Sequence, residues 1–336
     1  MEHVAIDLGG RESQVCVRGS DGHVVDETRM PTRSLVEWLN DRAPSKVIME
    51  TCSESFEIAD RAIARGHDVR IVPSTLVKSL GVGARRTKND RRDAQVLSEA
   101  SCRIDLPSVH IPSPTARKRK VLCTTRDALV ASRTQLVNCV RGWLRQSAQS
   151  LSRGYPVTFP RRVREKIGAA VPACIERLLV SIETLSAQIL AADKELEQEV
   201  DGDTLCKRLM TVPGVGTITA LRFAATIDRI DRFEDAHSVQ SYLGLVPGEH
   251  SSGERIRRLG ITKAGATATR VVLIQAAWSV RRYRKDHPMG RWAAEIEKRR
   301  GKHVAAVALA RKLAGILYAI WRDGTTYNPF RGARAA

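Results

Sequence analysis

The first 75 residues alternate short apolar runs with polar breaks, and most runs are too short to be helices. His3-Val4-Ala5-Ile6-Asp7-Leu8 reads as a buried strand that ends on an acid and enters Gly9-Gly10. Residues 13–17 alternate toward a second strand, Ser20-Asp21-Gly22 is a turn, and 23–28 make a third strand. Residues 34–41 predict a helix. Lys46-Val47-Ile48-Met49-Glu50 is a fourth strand, again closed by an acid. Residues 55–65 are helical, Gly66 stops them, and 68–72 form a fifth strand before Pro73.

This order, β-β-β-α-β-α-β-α, predicts an α/β domain with a mixed sheet and helices on its faces. It is the order of ribonuclease-H-like folds, where acids on the first and fourth strands sit side by side. Residues 81–84 read as a loop, and 106–114 as a proline-marked linker. From 115 to about 150 one long helix is expected, with Leu122, Leu129, Leu136 and Trp143 every seven residues. Residues 153–168, with Gly154, Pro156 and Pro160, read as a connection. Ile175, Leu178, Ile182, Leu185, Ile189, Ala192 and Leu196 then step by three and four, an a/d seam. The two helices predict an antiparallel coiled-coil arm, with a simple intramolecular hairpin as the plainer alternative. The remaining residues read as mostly helical, over 267–283, 290–300 and 304–321, with a disordered tail at 332–336. The expected domains are 1–110, 111–200 and 201–336.

Composition narrows the partners. Among 336 residues, 55 Lys and Arg stand against 37 acids, a net charge of +18, which implies a polyanion. No apolar stretch is read as long enough to cross a membrane, and the N-terminus lacks the pattern of a secretory signal, so a cytoplasmic protein is expected. Seven cysteines without a C-x-x-C pair argue against a zinc ribbon or a disulfide framework. Aromatic residues are 4%, so phosphate contacts should outweigh base stacking.

Against that background one stretch stands out: Arg85-Arg86-Thr87-Lys88-Asn89-Asp90-Arg91-Arg92-Asp93-Ala94. A helix running on through Val96, Leu97 and Ala100 puts Asp90 and Asp93 on one face. Two acids among Arg85, Arg86, Lys88, Arg91 and Arg92 suit a divalent cation beside a phosphate backbone. With Asp7 and Glu50 they make a four-carboxylate constellation for Mg²⁺. Each acid also has a plainer reading: turn acid, strand-end charge, helix cap, or partner of Arg91 or Arg92. A second constellation is Ser251-Ser252-Gly253 with Arg255, Arg257 and Arg258, read as a polar loop in which a serine could attack a phosphate. Lys263 adds a cation beyond it. Pro213-Gly214-Val215-Gly216 resembles the hairpin of helix-hairpin-helix modules, where Gly214 and Gly216 would let backbone reach a phosphate, although a plain helix–turn–helix connection fits as well.

Taken together, Asp7-Leu8-Gly9, Met49-Glu50-Thr51 and Asn89-Asp90-Arg91-Arg92-Asp93-Ala94 resemble the signatures of the DEDD transposases of the insertion sequence 110 family. Val212-Pro213-Gly214-Val215-Gly216, Gly244-Leu245-Val246-Pro247, Ser252-Gly253 and Lys263-Ala264-Gly265 match the C-terminal half of that family in order. The resemblance implies a RuvC-like domain, a coiled-coil arm and a C-terminal transposase domain. It implies that Asp7, Glu50, Asp90 and Asp93 bind Mg²⁺ and that Ser252, with Ser251 as its neighbour, forms a covalent link to DNA. It further implies double-stranded DNA, a bridge RNA, and a homodimer or homotetramer. Thr51-Cys52-Ser53 after Glu50, and Asn89 before Asp90, depart from the family pattern without removing an acid. The competing expectations are a RuvC-like junction endonuclease using activated water, and a non-catalytic nucleic-acid-binding protein.

Overall fold

The computed structural model describes residues 1–79, 90–252 and 255–329, with backbone alone at 78, 79, 90, 249–252 and 255–258. It forms two compact units, Met1–Pro112 and Ser113–Ala336.

The first unit is built on five strands: β1 (His3–Asp7), β2 (Glu12–Arg18), β3 (Val24–Pro31), β4 (Lys46–Glu50) and β5 (Asp68–Val72). Their order in the sheet is β3-β2-β1-β4-β5. The first three strands form an antiparallel meander, whereas β4 runs parallel to β1 and β5 parallel to β4. This is the mixed sheet that the sequence predicts. Side chains alternate across it, so each face carries its own core. On one face Val4, Ile6, Val47 and Met49 pack with Leu35 and Leu39 of α1 (Leu35–Asn40) and Ile58 and Ala59 of α2 (Ser55–Ala64). On the other, Ala5 and Ile48 meet Val77 of α3 (Ser74–Ser79) and Leu97 of α4 (Asp90–Arg103). The expected loop at 81–84 and the cations Arg85, Arg86 and Lys88 lie outside the described residues.

The second unit begins with α5 (Pro114–Gln146), which starts on a proline capped by Ser113 and pairs with α7 (Ala173–Asp201). Arg119 meets Glu199, Arg126 meets Asp193, and Arg133 meets Ser186, so the two helices run antiparallel. The buried line differs from the one read in the sequence. On α7 it passes through Ile175, Leu179, Ile182, Ser186, Ile189, Leu196 and Val200. Leu178 and Leu185 are only partly buried beside it. On α5 it passes through Cys123, Val137 and Leu144, each one residue beyond the expected Leu122, Leu136 and Trp143. The reason is polar: Arg119, Arg126 and Arg133 occupy seam positions seven residues apart and find partners on α7. A pattern built from apolar residues alone cannot register that line.

Residues 153–168 are not merely a connection. They hold α6 (Phe159–Ile167), with Phe159 and Val163 buried, because Pro160 stands in the first turn, where a missing N–H costs nothing. Next come α8 (Thr204–Met210), α9 (Thr217–Ile227), α10 (Ala236–Tyr242), α11 (Thr267–Tyr283), α12 (Pro288–Arg300) and α13 (Lys302–Asp323). Contrary to the sequence reading, one apolar stretch, α13, is long enough to cross a membrane by length and composition. Half of its apolar window is buried, and Leu309, Ala310, Leu313, Ala314 and Leu317 lie in the central core. The 332–336 tail lies outside the described residues.

The stretch around Ser251-Ser252-Gly253 and Arg255 to Arg258, read as a polar loop, lies in residues 241–258. Most of them belong to an antiparallel hairpin of β6 (Pro247–Ser252) and β7 (Arg255–Ile261). Few of its residues favour strands intrinsically; backbone pairing supplies what propensity does not.

Candidate active site

Asp7 and Glu50 are the last residues of β1 and β4. These strands run parallel and level, from His3 opposite Lys46 to Ile6 opposite Met49. One residue further on each strand lie the two acids. Equal positions on level parallel strands send side chains to the same face, here the face of Ala5 and Ile48, which α3 and α4 cover. Both acids are half-buried.

The backbone after each acid is held. Gly9 follows Asp7 in a tight turn: a Cβ there would sit 2.3 Å from the Glu12 carbonyl oxygen. Thr32 donates to the Gly9 carbonyl (2.6 Å), and the Ser13 and Thr32 hydroxyls are hydrogen-bonded (2.8 Å). After Glu50, the Thr51 hydroxyl donates to the Val72 carbonyl (3.0 Å). Sequence reasoning did not single out Ser13 or Thr32, since nothing local marks a hydroxyl that ties a turn 23 residues away.

Helix α4 brings the third acid. His3 Nδ1 and Ser101 Oγ are 2.8 Å apart, Ser98 Oγ donates to Cys16 Sγ (3.2 Å), and Gln95 donates to Glu27. Cys16 and Glu27 lie in the sheet row of Ala5. The helix therefore runs back along β1, its start toward the Asp7 end. Four strand residues from His3 to Asp7 cover about 13 Å, and eight helical residues from Ser101 to Asp93 cover about 12 Å. Asp93 thus lies on the part of α4 nearer the Asp7 end, and it is 8% exposed; Asp7, Glu50 and Asp93 are not brought together closely enough to form a metal-holding group. Asp90 opens the same helix, and its side chain lies outside the described residues. Among the described residues no group of three or more His, Cys, Asp or Glu is placed to hold a metal ion. In kind, the donors suit a hard divalent cation: carboxylate oxygens from two strand ends and one helix.

Of the flanking cations, Arg91 is exposed and its Nε donates to Glu27 (2.8 Å). Glu27 is held below the ordinary carboxylate range, first by the Gln95 amide and then by Arg91. Arg92 is exposed as well.

In the second unit, Ser252 is the last residue of β6 and pairs with Arg255 across the hairpin tip. Arg257 pairs with His250, and Arg258 with Glu249. Lys263, just past β7, has a positive φ of 57°. Gly214 (φ +83°) packs against α11: an added Cβ would meet Ala276 O and Val280 at 2.7 Å. Gly216 caps α9 and opens on a groove of about 690 Å³ that Asp127, Asp193 and Glu197 also line. The groove is mixed in charge: Arg126 also lines it and pairs with Asp193, and Asp127 pairs with Arg222. Other cations are more open: Arg282 in the last turn of α11, Arg284 and Lys285 after it, and Lys298, Arg299 and Arg300 at the end of α12, are exposed.

Two family profiles match this architecture in chain order. A DEDD transposase profile of the IS110 type covers residues 4–148, and the profile described as "Transposase IS116/IS110/IS902 family" covers 206–291. A probable family 20 transposase of Pseudomonas aeruginosa is 30% identical over 98% of this chain and 99% of its own length. The chain belongs to the IS110/IS116/IS902 family of transposases. The transposase for insertion sequence element IS1111A of Coxiella burnetii is 28% identical, over 97% of this chain and 91% of its own. That for IS1328 of Yersinia enterocolitica is 28% identical, over 97% and 98%. This transposase is therefore a DNA-cleaving and DNA-joining enzyme. Asp7, Glu50 and Asp93 lie within the DEDD match, and the Ser252 hairpin within the other.

Proposed function

We propose that this transposase excises and inserts an insertion-sequence element through two chemical parts, one on each unit. The observation that carries the reading is the level placement of Asp7 and Glu50 on the sheet face that α4 covers with Asp93. Asp7, Glu50, Asp90 and Asp93 would hold Mg²⁺. Bound there, the ion would stabilise charge on phosphate oxygens.

Ser252 is the proposed nucleophile. Its Oγ attacks the phosphorus of one DNA strand, the bond to the leaving sugar oxygen breaks, and that oxygen takes up a proton. The DNA phosphodiester is replaced by a phosphoserine ester, so the bond energy is kept for rejoining. Arg255, Arg257 and Arg258 would hold the phosphate backbone beside the hairpin, with Arg92, Arg85, Arg86 and Lys88 doing so beside the acids. Gly214 and Arg91 are accounted for in part by packing and by an existing ion pair, whereas the Gly216 backbone and Lys263 would add contacts to the phosphate backbone. Double-stranded DNA is the substrate, with a bridge RNA as guide. The α5–α7 pair would act as a coiled-coil arm in a homodimer or homotetramer, and the cytoplasm would be the site of action.

The test is a nicked duplex that traps a covalent intermediate. Wild type with Mg²⁺ should yield a protein–DNA adduct, and Ser252→Ala should not. Cleavage without any adduct would instead mean water as nucleophile.

A further inference from the structure

The hairpin that carries Ser252 is held chiefly at one end. Among the described residues, β6 and β7 pack mainly on each other, with Ile261 of β7 reaching the central core. The described supports of their direction therefore lie near the base, where one leg leaves α10, the other enters α11, and Pro247, Leu259 and Ile261 face α13 across a cavity.

At that base the two legs run backbone to backbone. Thr262 N donates to Val246 O (2.9 Å), and Lys263 N to Gly244 O (3.2 Å). Gly244 has φ +65°, and a Cβ on it would lie 2.4 Å from Ala264 O. Gly265 has φ +67°, and a Cβ on it would lie 2.1 Å from Tyr242 O. Such contact brings two carbonyls, Leu243 O and Ala264 O, toward one point, where they repel unless a donor separates them.

Arg270 is that donor. It lies in the first turns of α11, 6% exposed. Its Nη1 donates to Leu243 O (3.0 Å) and to Ala264 O (2.8 Å), one on each leg. Its Nη2 donates to Thr267 Oγ1 (3.0 Å), which fixes the guanidinium plane against its own helix. A planar fork serves three acceptors in fixed directions; an ammonium does not.

We infer that Arg270 positions the β6–β7 hairpin, and with it Ser252, by tying both legs to the start of α11. The inference rests on Ser252 being the nucleophile. Leverage makes it consequential: Ser252 is five residues beyond Pro247, about 17 Å from the base. A tilt of roughly 10° at the base would move the tip by about 3 Å, and a misplacement of about 1 Å can cost ~10²-fold in rate. Arg270 is thus a positioning residue, touching neither DNA nor the reacting atoms.

The test compares full-length wild type with Arg270→Lys and the milder Thr267→Val, which removes only the Nη2 acceptor. Amide hydrogen exchange over 245–262 should quicken about tenfold or more in Arg270→Lys and less in Thr267→Val, with α9 and α13 unchanged. Single-turnover adduct formation should slow by about 10–100-fold, with the DNA dissociation constant within twofold of wild type. Unchanged exchange in the hairpin overturns the clamp, whatever the nucleophile. Faster exchange throughout Ser113–Ala336 overturns it too, making Arg270 a general support. A loosened hairpin with an unaltered adduct rate overturns positioning. Persistence of the adduct in Ser252→Ala would refute the nucleophile reading and the positioning claim built on it, and the exchange comparison would still decide the clamp.

Discussion

Asp7 and Glu50 each stand one residue past the last backbone pair of two parallel strands, Ile6 with Met49, and on one face of the sheet. Like charges held level on neighbouring strands repel, and such a pair is worth keeping where a cation can join it. Asp7→Asn and Glu50→Gln should each lower DNA cleavage by roughly 10²–10³-fold. The same variants should bind DNA at least as tightly as wild type, since a negative charge beside the phosphate backbone is removed, and thermal melts should show both variants folded. Cleavage assays beside gel shifts and thermal melts decide this.

Arg91 and Arg92 separate two uses of charge. Arg91 is already bonded to Glu27, while Arg92 is exposed. A phosphate contact contributes about one unit to the salt slope of DNA binding. Arg92→Ala should lower that slope by about one, and Arg91→Ala by clearly less. Titrations across a salt series measure both; equal changes would show that Glu27 releases Arg91 to the DNA.

The α5–α7 seam makes a stability prediction. Arg119 and Arg126 each meet an acid on α7, whereas among the described residues Arg133, seven residues on, meets Ser186 Oγ, at 3.3 Å, and no acid. Burial and the nearby Arg126 lower the pKa of Arg133, and its Nε is buried without a partner. Ser186→Asp would complete the ladder and should stabilise the protein by about 1 kcal/mol. A lower melting temperature for this variant would show that desolvating the new acid outweighs the pairing.

Acid should loosen the other end of the same pair. Glu199 is held below its ordinary range by Lys118 first and then Arg119. Asp203 is pushed up by burial, but the Cys206 N–H and Arg119 outweigh this and hold it low. Depressed carboxylates stabilise the fold above their unfolded values, near 4, and that stability fades as pH falls through the lower folded values. Arg119→Met, which strips both acids of a partner only 12% exposed, should cost about 3 kcal/mol at pH 7 and progressively less in acid. Denaturant melts at a series of pH values test the sign.

Much of this was legible in sequence because it is local. Strands β1, β4 and β5 are largely apolar runs bounded by turns, Asp7 and Glu50 close two of them, and Asp93 lies in the first turns of a helix that the sequence also marks. Several of the failures come from contacts that no local pattern marks. Arg119, Arg126 and Arg133 look like surface charge until α7 supplies partners 53 to 80 residues away. The β6–β7 hairpin looks like a loop because backbone pairing and contacts at its base hold it, in place of β-branched side chains. Arg270 carries no local signal at all, since its partners Leu243 and Ala264 are backbone carbonyls brought together by two glycines.

The central claim is that Ser252 and the acids serve one reaction, and peptide mapping of the trapped protein–DNA adduct tests it most directly. With Mg²⁺ the account predicts a single modified peptide with the nucleotide on Ser252, and loss of that peptide in Asp7→Asn or when Mg²⁺ is chelated. A nucleotide on any other residue, or a Ser252 adduct that persists undiminished in Asp7→Asn, would contradict it.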